Sequence, residues 1–160
     1  METNNIHTLS TGVRVRVSQV NPATLTDIQM RIQNPSVPTR VVAGEFGAFS
    51  EGEPNPEHPD YVAECQLKDM ERASAMMDVI AMLCVELVDG LPKDDRWVKK
   101  LRLLSKIGQL DLSGFDLDDE DDREFLYKKH IAPSTEDWVT LFKLARVPQE
   151  VTAQMESAAG

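Results

Sequence analysis

Apolar residues near the start of the chain follow a period of two. Valines occupy positions 13, 15 and 17, with Arg14 and Arg16 between them. This alternation predicts a half-buried β-strand with a basic outer face. Residues 37–43 are also extended in pattern, but Pro38 interrupts them, which predicts an edge strand or an arm.

A short helix is predicted between these two strands, beginning at Asn21 and Pro22. An asparagine side chain can cap the first turn, and the missing N–H of proline costs nothing at the first helical position. The apolar residues that then share one face are Leu25, Ile28 and Ile32.

The apolar pattern becomes helical after residues 44–59, which are rich in Gly and Pro and carry acidic charges. That segment is predicted to be a mobile linker. Beyond it, spacings of three and four predict one long helix from Pro59 or Asp60 to about Asp89, with Gly90 as its C-terminal cap. The predicted stripe on this helix consists of Ala63, Gln66, Met70, Ala73, Met77, Ile80, Cys84 and Leu87.

Two of the shorter helices predicted after Gly90 lie on either side of a charged turn. The first follows Pro92 and stops at Gly108. Its predicted apolar side consists of Trp97, Val98, Leu101, Leu104 and Ile107. The second runs from about Asp119 to Ala132, so that acidic side chains lie at the positive end of its dipole.

Two further helices are predicted in the last part of the chain. Ser134 is expected to cap the first of them, with Asp137 as the acidic partner in a capping box. Pro148 opens the second, in which Val151 and Met155 lie one turn apart.

Together these elements predict a mainly α fold. A helical C-terminal domain (60–160), built on one long central helix, is joined by the linker (44–59) to a small N-terminal region that contains β-strand and short helix (1–43). The apolar run 76–88 is interrupted by Asp78 and Glu86 and is too short to cross a bilayer, so it is expected to be a core helix.

Charge and cysteine usage narrow the class of partner and the compartment. The formal net charge of −10 disfavours general binding to nucleic acid or to anionic lipid surfaces. Cys65 and Cys84 would lie about 28 Å apart on one helix, too far for a disulfide. With no C-x-x-C motif and no apolar signal segment at residues 1–10, the chain is expected to remain in a reducing cytoplasm without a zinc site.

The charges nevertheless form two adjacent blocks of opposite sign. The basic block consists of Lys93, Arg96, Lys99, Lys100, Arg102 and Lys106. The acidic block consists of Asp111, Asp116, Asp118, Asp119, Glu120, Asp121, Asp122 and Glu124. Such blocks most often neutralise each other inside a fold, and the alternative is a bipolar docking surface. The candidate partner-binding residues are Lys99, Lys100, Arg102, Lys106, Asp118, Asp119 and Asp121.

Motifs for metal binding and catalysis are incomplete. The alternating acids at 116, 118, 120 and 122 resemble the first ligand positions of an EF-hand, but Asp121 stands in place of its glycine and Tyr127 in place of its final glutamate. His7, His58 and His130 lie in unrelated segments, and no nucleotide-binding or nucleophile motif is present. We therefore expect no enzyme activity, no metal and no cofactor.

Four methionines on the long helix allow two interpretations. Met70, Met76, Met77 and Met82 can line an adaptable groove for a partner helix, because thioether side chains adjust to different surfaces. The other interpretation, ordinary core packing against Trp97 and Trp138, is the favoured one for a chain of this size.

Three stretches between Asn55 and Trp138 resemble the tail assembly chaperones of tailed bacteriophages and prophages. They are Asn-Pro-x-x-Pro-x-Tyr at 55–61, Glu-Leu-Val-Asp-Gly-Leu-Pro-x-Asp-Asp-x-Trp at 86–97, and Phe-Leu-Tyr-Lys-Lys at 125–129. The resemblance implies a non-enzymatic protein of the host cytoplasm that binds the tape-measure protein and helps tail-tube subunits polymerise around it. It transfers no functional residues, and it does not include residues 11–43.

Two other functions fit the sequence. A structural component of the tail, such as a minor tail or terminator protein, would use the strand and proline arm to extend a neighbour's sheet. A DNA-mimicking inhibitor is suggested by the negative charge alone, and it is disfavoured because many acids lie beside a basic helix. Self-association is compatible with all of these functions.

Overall fold

A computed structural model describes residues 6–43 and 49–153, and it is mainly helical with a small antiparallel sheet near the N-terminus, which confirms the predicted fold class. The strands are β1 (Ile6–Thr8), β2 (Arg14–Val17), β3 (Thr39–Ala43), β4 (Phe49–Pro54) and β5 (Val85–Leu87). The helices are α1 (Pro22–Arg31), α2 (Pro59–Val79), α3 (Arg96–Lys106), α4 (Glu120–Leu126) and α5 (Thr135–Leu144). Of the described helices, none is both long enough and apolar enough to cross a membrane.

The predicted alternation at residues 13–17 forms β2, the central strand of a three-stranded sheet in the order β1-β2-β5. Val15 is fully buried opposite Leu87, and Arg14 on the outer face pairs with Asp89 at 2.6 Å. The period of two therefore predicted both the strand and its two faces.

The long helix does not continue to Asp89, as the apolar stripe had predicted. It changes after Val79 to a π-helical turn at Ile80–Cys84, in which the Val85 amide donates to the Ile80 carbonyl, and the chain then becomes β5. Backbone N–H and C=O groups that would form hydrogen bonds within a longer helix form them with β2 instead, and Val85 and Leu87 remain buried. Gly90, with φ of 70°, therefore ends a turn after a strand and does not cap a helix.

The predicted linker at 44–59 contains a strand. β4 pairs with β3 in an antiparallel two-stranded sheet, with Arg40 opposite Glu53 and Val42 opposite Ser50. The prediction missed β4 because backbone pairing does not require alternating side chains, and Gly and Pro are uncommon in strands. Residues 44–48 lie outside the described part of the chain, and β3 itself matches the extended segment predicted at 37–43.

The predicted N-terminal region shares its core with the helical part. Leu9, Val15 and Ile28 belong to the same buried cluster as Trp138 and Leu141. Three long-range hydrogen bonds reinforce this packing: Val20 N to Ala145 O (2.9 Å), Ser10 N to Asp137 Oδ1 (2.9 Å) and Thr11 Oγ1 to Ala132 O. The boundary predicted at 44–59 therefore does not divide the core.

The remaining helices lie where their end signals predicted. Asn21 caps α1, and α3 is followed by Gly108 with φ of 78°. Asp119 caps α4, which continues through a π-helical turn at Tyr127–Ile131, and Ser134 forms the predicted capping box at α5. The last helix spans 149–153 in the described chain, whereas Met155 lies outside it.

One apolar position on α3 differs from the prediction. Ile107, expected on the inner side, is 66% exposed, and Leu104 is half-buried, whereas Trp97, Val98 and Leu101 are buried. The helix ends at Lys106, so Ile107 has left the helical register that would have directed its side chain inward.

Candidate partner-binding surfaces

The predicted basic residues lie on the outer side of α3. The Asp94 carboxylate accepts a hydrogen bond from the Arg96 amide (3.0 Å) at the start of this helix. Burial of Trp97, Val98 and Leu101 fixes its inner face, which leaves the basic side chains exposed. Among the described residues none of Lys99, Lys100, Arg102 and Lys106 forms an ion pair.

The predicted acidic residues Asp118, Asp119 and Asp121 are exposed as well. In this block the carboxylates accept hydrogen bonds from backbone amides. Asp119 accepts from the Asp122 amide (3.1 Å) and caps α4, and Asp122 accepts from the Asp116 amide (2.8 Å). The acids therefore shape a turn and a helix end, where negative charge is favourable.

The expectation that the two blocks neutralise each other does not hold for the described ion pairs. One ion pair does join the two stretches, but the acidic stretch supplies its cation and the basic stretch its anion. Arg123 from the acidic stretch pairs with Asp95 from the basic one at 2.5 Å. The Arg123 guanidinium also lies over the Trp97 ring, 5.3 Å from its centroid. Both predicted sets are exposed, no described ion pair joins them, and their role in partner binding stays a prediction.

An open cleft of about 390 Å³ lies between the middle of α2 and the start of α5. One wall is formed by Met70, Ala73, Ser74 and Met77 of α2. The opposite wall is formed by Lys129, His130, Pro133, Ser134, Thr135 and Trp138. We call this site the α2–α5 cleft. Its lining combines thioether and aromatic surface with a few polar groups, as protein-binding and ligand-binding grooves often do.

Several polar side chains at this cleft form ion pairs or hydrogen bonds with other side chains of the protein. The Lys129 ammonium pairs with Asp78 of α2. Burial lowers the pKa of His130, the nearby Lys129 charge lowers it further, and Asp78 partly opposes both effects. The His130 imidazole is therefore neutral near pH 7, so the cleft carries little net charge on that side.

Ser134, Asp137 and His130 lie near one another without forming a catalytic relay. The Asp137 carboxylate accepts hydrogen bonds from Ser10 Oγ (2.7 Å), Ser134 N (2.8 Å) and Ser134 Oγ (3.1 Å). Burial by itself would raise the pKa of Asp137, but these hydrogen bonds and that of the Ser10 amide hold it below its ordinary value. A relay would need His130 between the hydroxyl and the acid, whereas here the acid binds the hydroxyl directly.

The four methionines divide between the core and two clefts. Met76 is 1% exposed and belongs to the core, and Met77 is half-buried at the α2–α5 cleft beside the exposed Met70. Met82 is exposed at a second cleft of about 370 Å³, where Phe115 stacks on Phe125 with centroids 5.7 Å apart. Asp121, one of the predicted partner-binding residues, lies at the same cleft. Core packing therefore applies to Met76, and a partner-helix groove stays a prediction for the methionines at the clefts.

No protein-family model, curated protein or solved structure matches the chain. Within residues 6–43 and 49–153, no group of His, Cys, Asp and Glu side chains is arranged to hold a metal ion. The surfaces themselves must therefore support any statement about function.

Proposed function

We propose that the chain is a non-enzymatic tail assembly factor of the chaperone kind. It binds the tape-measure protein of a tailed phage in the host cytoplasm and helps tail-tube subunits polymerise around that protein. The observation that carries the proposal is the open α2–α5 cleft, lined by Met70, Met77 and Trp138. Adaptable thioether and aromatic side chains suit the apolar face of a client helix.

The polar groups beside the cleft favour binding over catalysis. A catalytic centre gathers ionisable groups whose pKa values are shifted toward their chemical task. Here Asp137 is committed to the capping box and to Ser10, Lys129 is paired with Asp78, and His130 is neutral. These groups stabilise the walls of the cleft and leave its apolar surface available to a protein.

The exposed charges support a protein partner as well. The basic side chains of α3 and the acidic side chains of the turn before α4 are exposed, and no described ion pair joins these two sets. Exposed charges of opposite sign orient protein partners and exclude wrong ones. The net charge of −10 at the same time disfavours nucleic acid and anionic membranes.

A structural role in the virion tail is the second candidate, and the β3–β4 hairpin favours it. This two-stranded sheet is separate from the β1-β2-β5 sheet, and neither of its outer edges is paired with another described strand. An unpaired edge can accept a strand from a neighbouring subunit.

Co-expression with the tape-measure protein tests the primary proposal. The affinity-tagged chain should co-purify with full-length tape-measure protein at low salt, and an unrelated coiled-coil protein should not co-purify. Purified particles should lack the chain when analysed by mass spectrometry. Loss of co-purification at low salt would refute the chaperone proposal, and stoichiometric presence in particles would favour the structural role.

A further inference from the structure

The exposed side of α2 carries a largely apolar row that shares Ala63, Met70 and Met77 with the stripe predicted along this helix. It consists of Ala63, Leu67, Met70, Ser74 and Met77, and we call it the α2 seam. The spacings of four, three, four and three are those of the a and d positions of a heptad repeat. Leu67 is 58% exposed and Met70 is 53% exposed, so much of the seam is uncovered in the isolated chain. It leads directly into the α2–α5 cleft, which Met70, Ser74 and Met77 line.

The two flanks of the seam differ. The outer flank, one residue after each d position, carries three acids, Glu64, Glu71 and Asp78, of which Glu71 pairs with Lys68 at 3.3 Å and Asp78 pairs with Lys129. On the inner flank Ala73 and Ile80 are buried in the core. A helix that packs on the seam therefore meets an acidic row on one side and the body of the protein on the other.

We infer that the α2 seam and the α2–α5 cleft together bind one amphipathic helix of a partner protein. Its apolar residues recur at heptad spacing, and Lys or Arg faces Glu64 and Glu71. The inference rests on the proposed function and specifies which kind of client segment is held, and where. From Ala63 to Met77 the seam is about 21 Å long, so it holds about four turns of the partner helix.

Charge argues against a second copy of the chain as the occupant. In an antiparallel pair of helices, flanking positions of this type face their own counterparts. The acidic row of Glu64, Glu71 and Asp78 would then face an identical acidic row, which is repulsive. In a parallel pair the row would face the inner flank of the other copy, where Ala73 and Ile80 are buried in the core and only Gln66 is exposed. A basic client helix avoids both conflicts.

Two synthetic helical peptides of about four heptads test the chemistry of the occupant. Both carry Leu at the a and d positions, and they differ only in having Lys or Glu at the flanking positions. Titration calorimetry with the full chain should show binding of the Lys peptide and at least about tenfold weaker binding of the Glu peptide. Added salt should weaken the Lys complex, because part of the flanking contact is solvent-exposed. Equal affinity for the two peptides would overturn the inference.

Matched substitutions locate the binding surface. Leu67→Glu and Met70→Glu should each weaken binding of the Lys peptide by at least about tenfold, because they place a carboxylate in the seam. Leu83→Glu is the control, since Leu83 is 67% exposed at the far end of the same helical segment and lies outside the seam. The control should bind within about twofold of the unmodified chain. Unchanged binding by the seam variants, or equal loss in the control, would contradict the inference.

The same variants, tested with the tape-measure protein, separate this inference from the proposed function. If the unmodified chain binds that protein and Leu67→Glu binds equally well, the chaperone proposal stands and the seam inference fails. If the Lys peptide binds at the seam but the tape-measure protein does not bind at all, the seam stands and the proposed client is wrong. Light scattering provides the remaining outcome: an unmodified dimer that Leu67→Glu converts to a monomer would assign the seam to a second copy and overturn the inference.

Discussion

The two halves of α2 have similar spacing of apolar residues and opposite environments. In the second half Ala73 and Met76 are at most 4% exposed, and the following turn buries Ile80 completely. In the first half Val62 and Leu67 are 41% and 58% exposed. Periodicity identifies the apolar face of a helix, but other parts of the chain determine whether anything covers that face.

Different neighbours account for the contrast. The second half is flanked by α1, whose last turn is tied to it where Arg72 Nη1 donates to the Ile32 carbonyl at 2.9 Å. It is also tied to the π-helical turn Tyr127–Ile131 through Lys129 and Asp78. The first half lies beyond these contacts, so it stabilises the fold little and is available for a partner.

The largest expected effect is that of truncating the buried half. Ile80→Ala should lower the free energy of unfolding by about 2–5 kcal/mol, because it removes a fully buried side chain and leaves a cavity. Leu67→Ala, the matched change in the exposed half, should alter it by less than about 0.5 kcal/mol. Urea unfolding followed by circular dichroism measures both values. Similar losses for the two variants would mean that the exposed half is covered in solution.

A buried lysine in the π-helical turn Tyr127–Ile131, which binds the start of β5, provides the next test. Lys128 is 6% exposed, and its ammonium donates to the Val85 carbonyl at 3.1 Å and lies 3.5 Å from Glu124. β5 is an edge strand, so this side chain satisfies a carbonyl that no further strand in the sheet reaches.

Lys128→Met should destabilise the chain by about 1–3 kcal/mol, because it leaves the Val85 carbonyl without its donor. Hydrogen exchange should accelerate at 85–87 and leave 60–70 unchanged. Lys100→Met, an exposed control, should leave stability within about 0.5 kcal/mol of the unmodified chain. Unchanged exchange at 85–87 would show that Lys128 does not hold this edge.

The capping box at α5 gives a smaller, pH-dependent effect. Asp137→Ala should cost about 1–2 kcal/mol near pH 7, because it removes the cap of α5 and its bonds to Ser10, which tie the N-terminal strands to α5. The pKa of Asp137 is lower in the folded chain than in the unfolded one. Its contribution is therefore complete above the unfolded value of about 3.9 and is lost as the pH falls through the folded value.

Urea titrations between neutral and acidic pH measure this dependence. The difference in stability between the unmodified chain and Asp137→Ala should shrink as the pH falls below about 4. Glu136→Ala, at the exposed neighbouring position, is the control and should show a smaller difference at neutral pH. A difference that is constant with pH would mean that the ionised carboxylate is not what stabilises the cap.

Local signals in the sequence predicted elements wherever the element depends on its own residues. Asn21, Asp119 and Ser134 mark helix starts that the structure confirms, and the valines at 13–17 mark a strand. Elements that depend on distant partners were missed. The sequence pattern of residues 85–87 is helical, and only their pairing with β2 makes them a strand. In the same way, β4 is a strand because it pairs with β3.

The candidate sites followed the same rule. The exposure of Lys99 and Asp118 was predictable, because Lys99 lies away from the apolar face of α3 and Asp118 lies in the polar turn before α4. The α2–α5 cleft was not predictable, since its walls are more than fifty residues apart in the sequence, from Met77 to Lys129. The heptad spacing that joins Leu67 and Ser74 to Met70 was visible in the sequence, but Met70 also belongs to the continuous stripe, and that stripe hid the second register.

The two cysteines allow the contrast within the helical segment to be tested with almost no change in stability. Cys65 lies in the exposed half and is partly accessible, whereas Cys84 is 5% exposed at the end of the buried half. Burial raises the pKa of the Cys84 thiol, although the hydrogen bond with Ser18 partly opposes the shift. Low accessibility and the raised thiol pKa therefore both slow the reaction of Cys84.

A disulfide thiol reagent should modify one cysteine of the native chain quickly and the second only in urea. Cys65→Ser should remove the fast phase, and Cys84→Ser should remove the phase that requires unfolding. Because Cys65 belongs neither to the α2 seam nor to the buried cluster, its modification should change the free energy of unfolding by less than about 0.5 kcal/mol. Equal native rates at both thiols would contradict the contrast, since Cys84 can react that fast only if the buried half opens as readily as the exposed half.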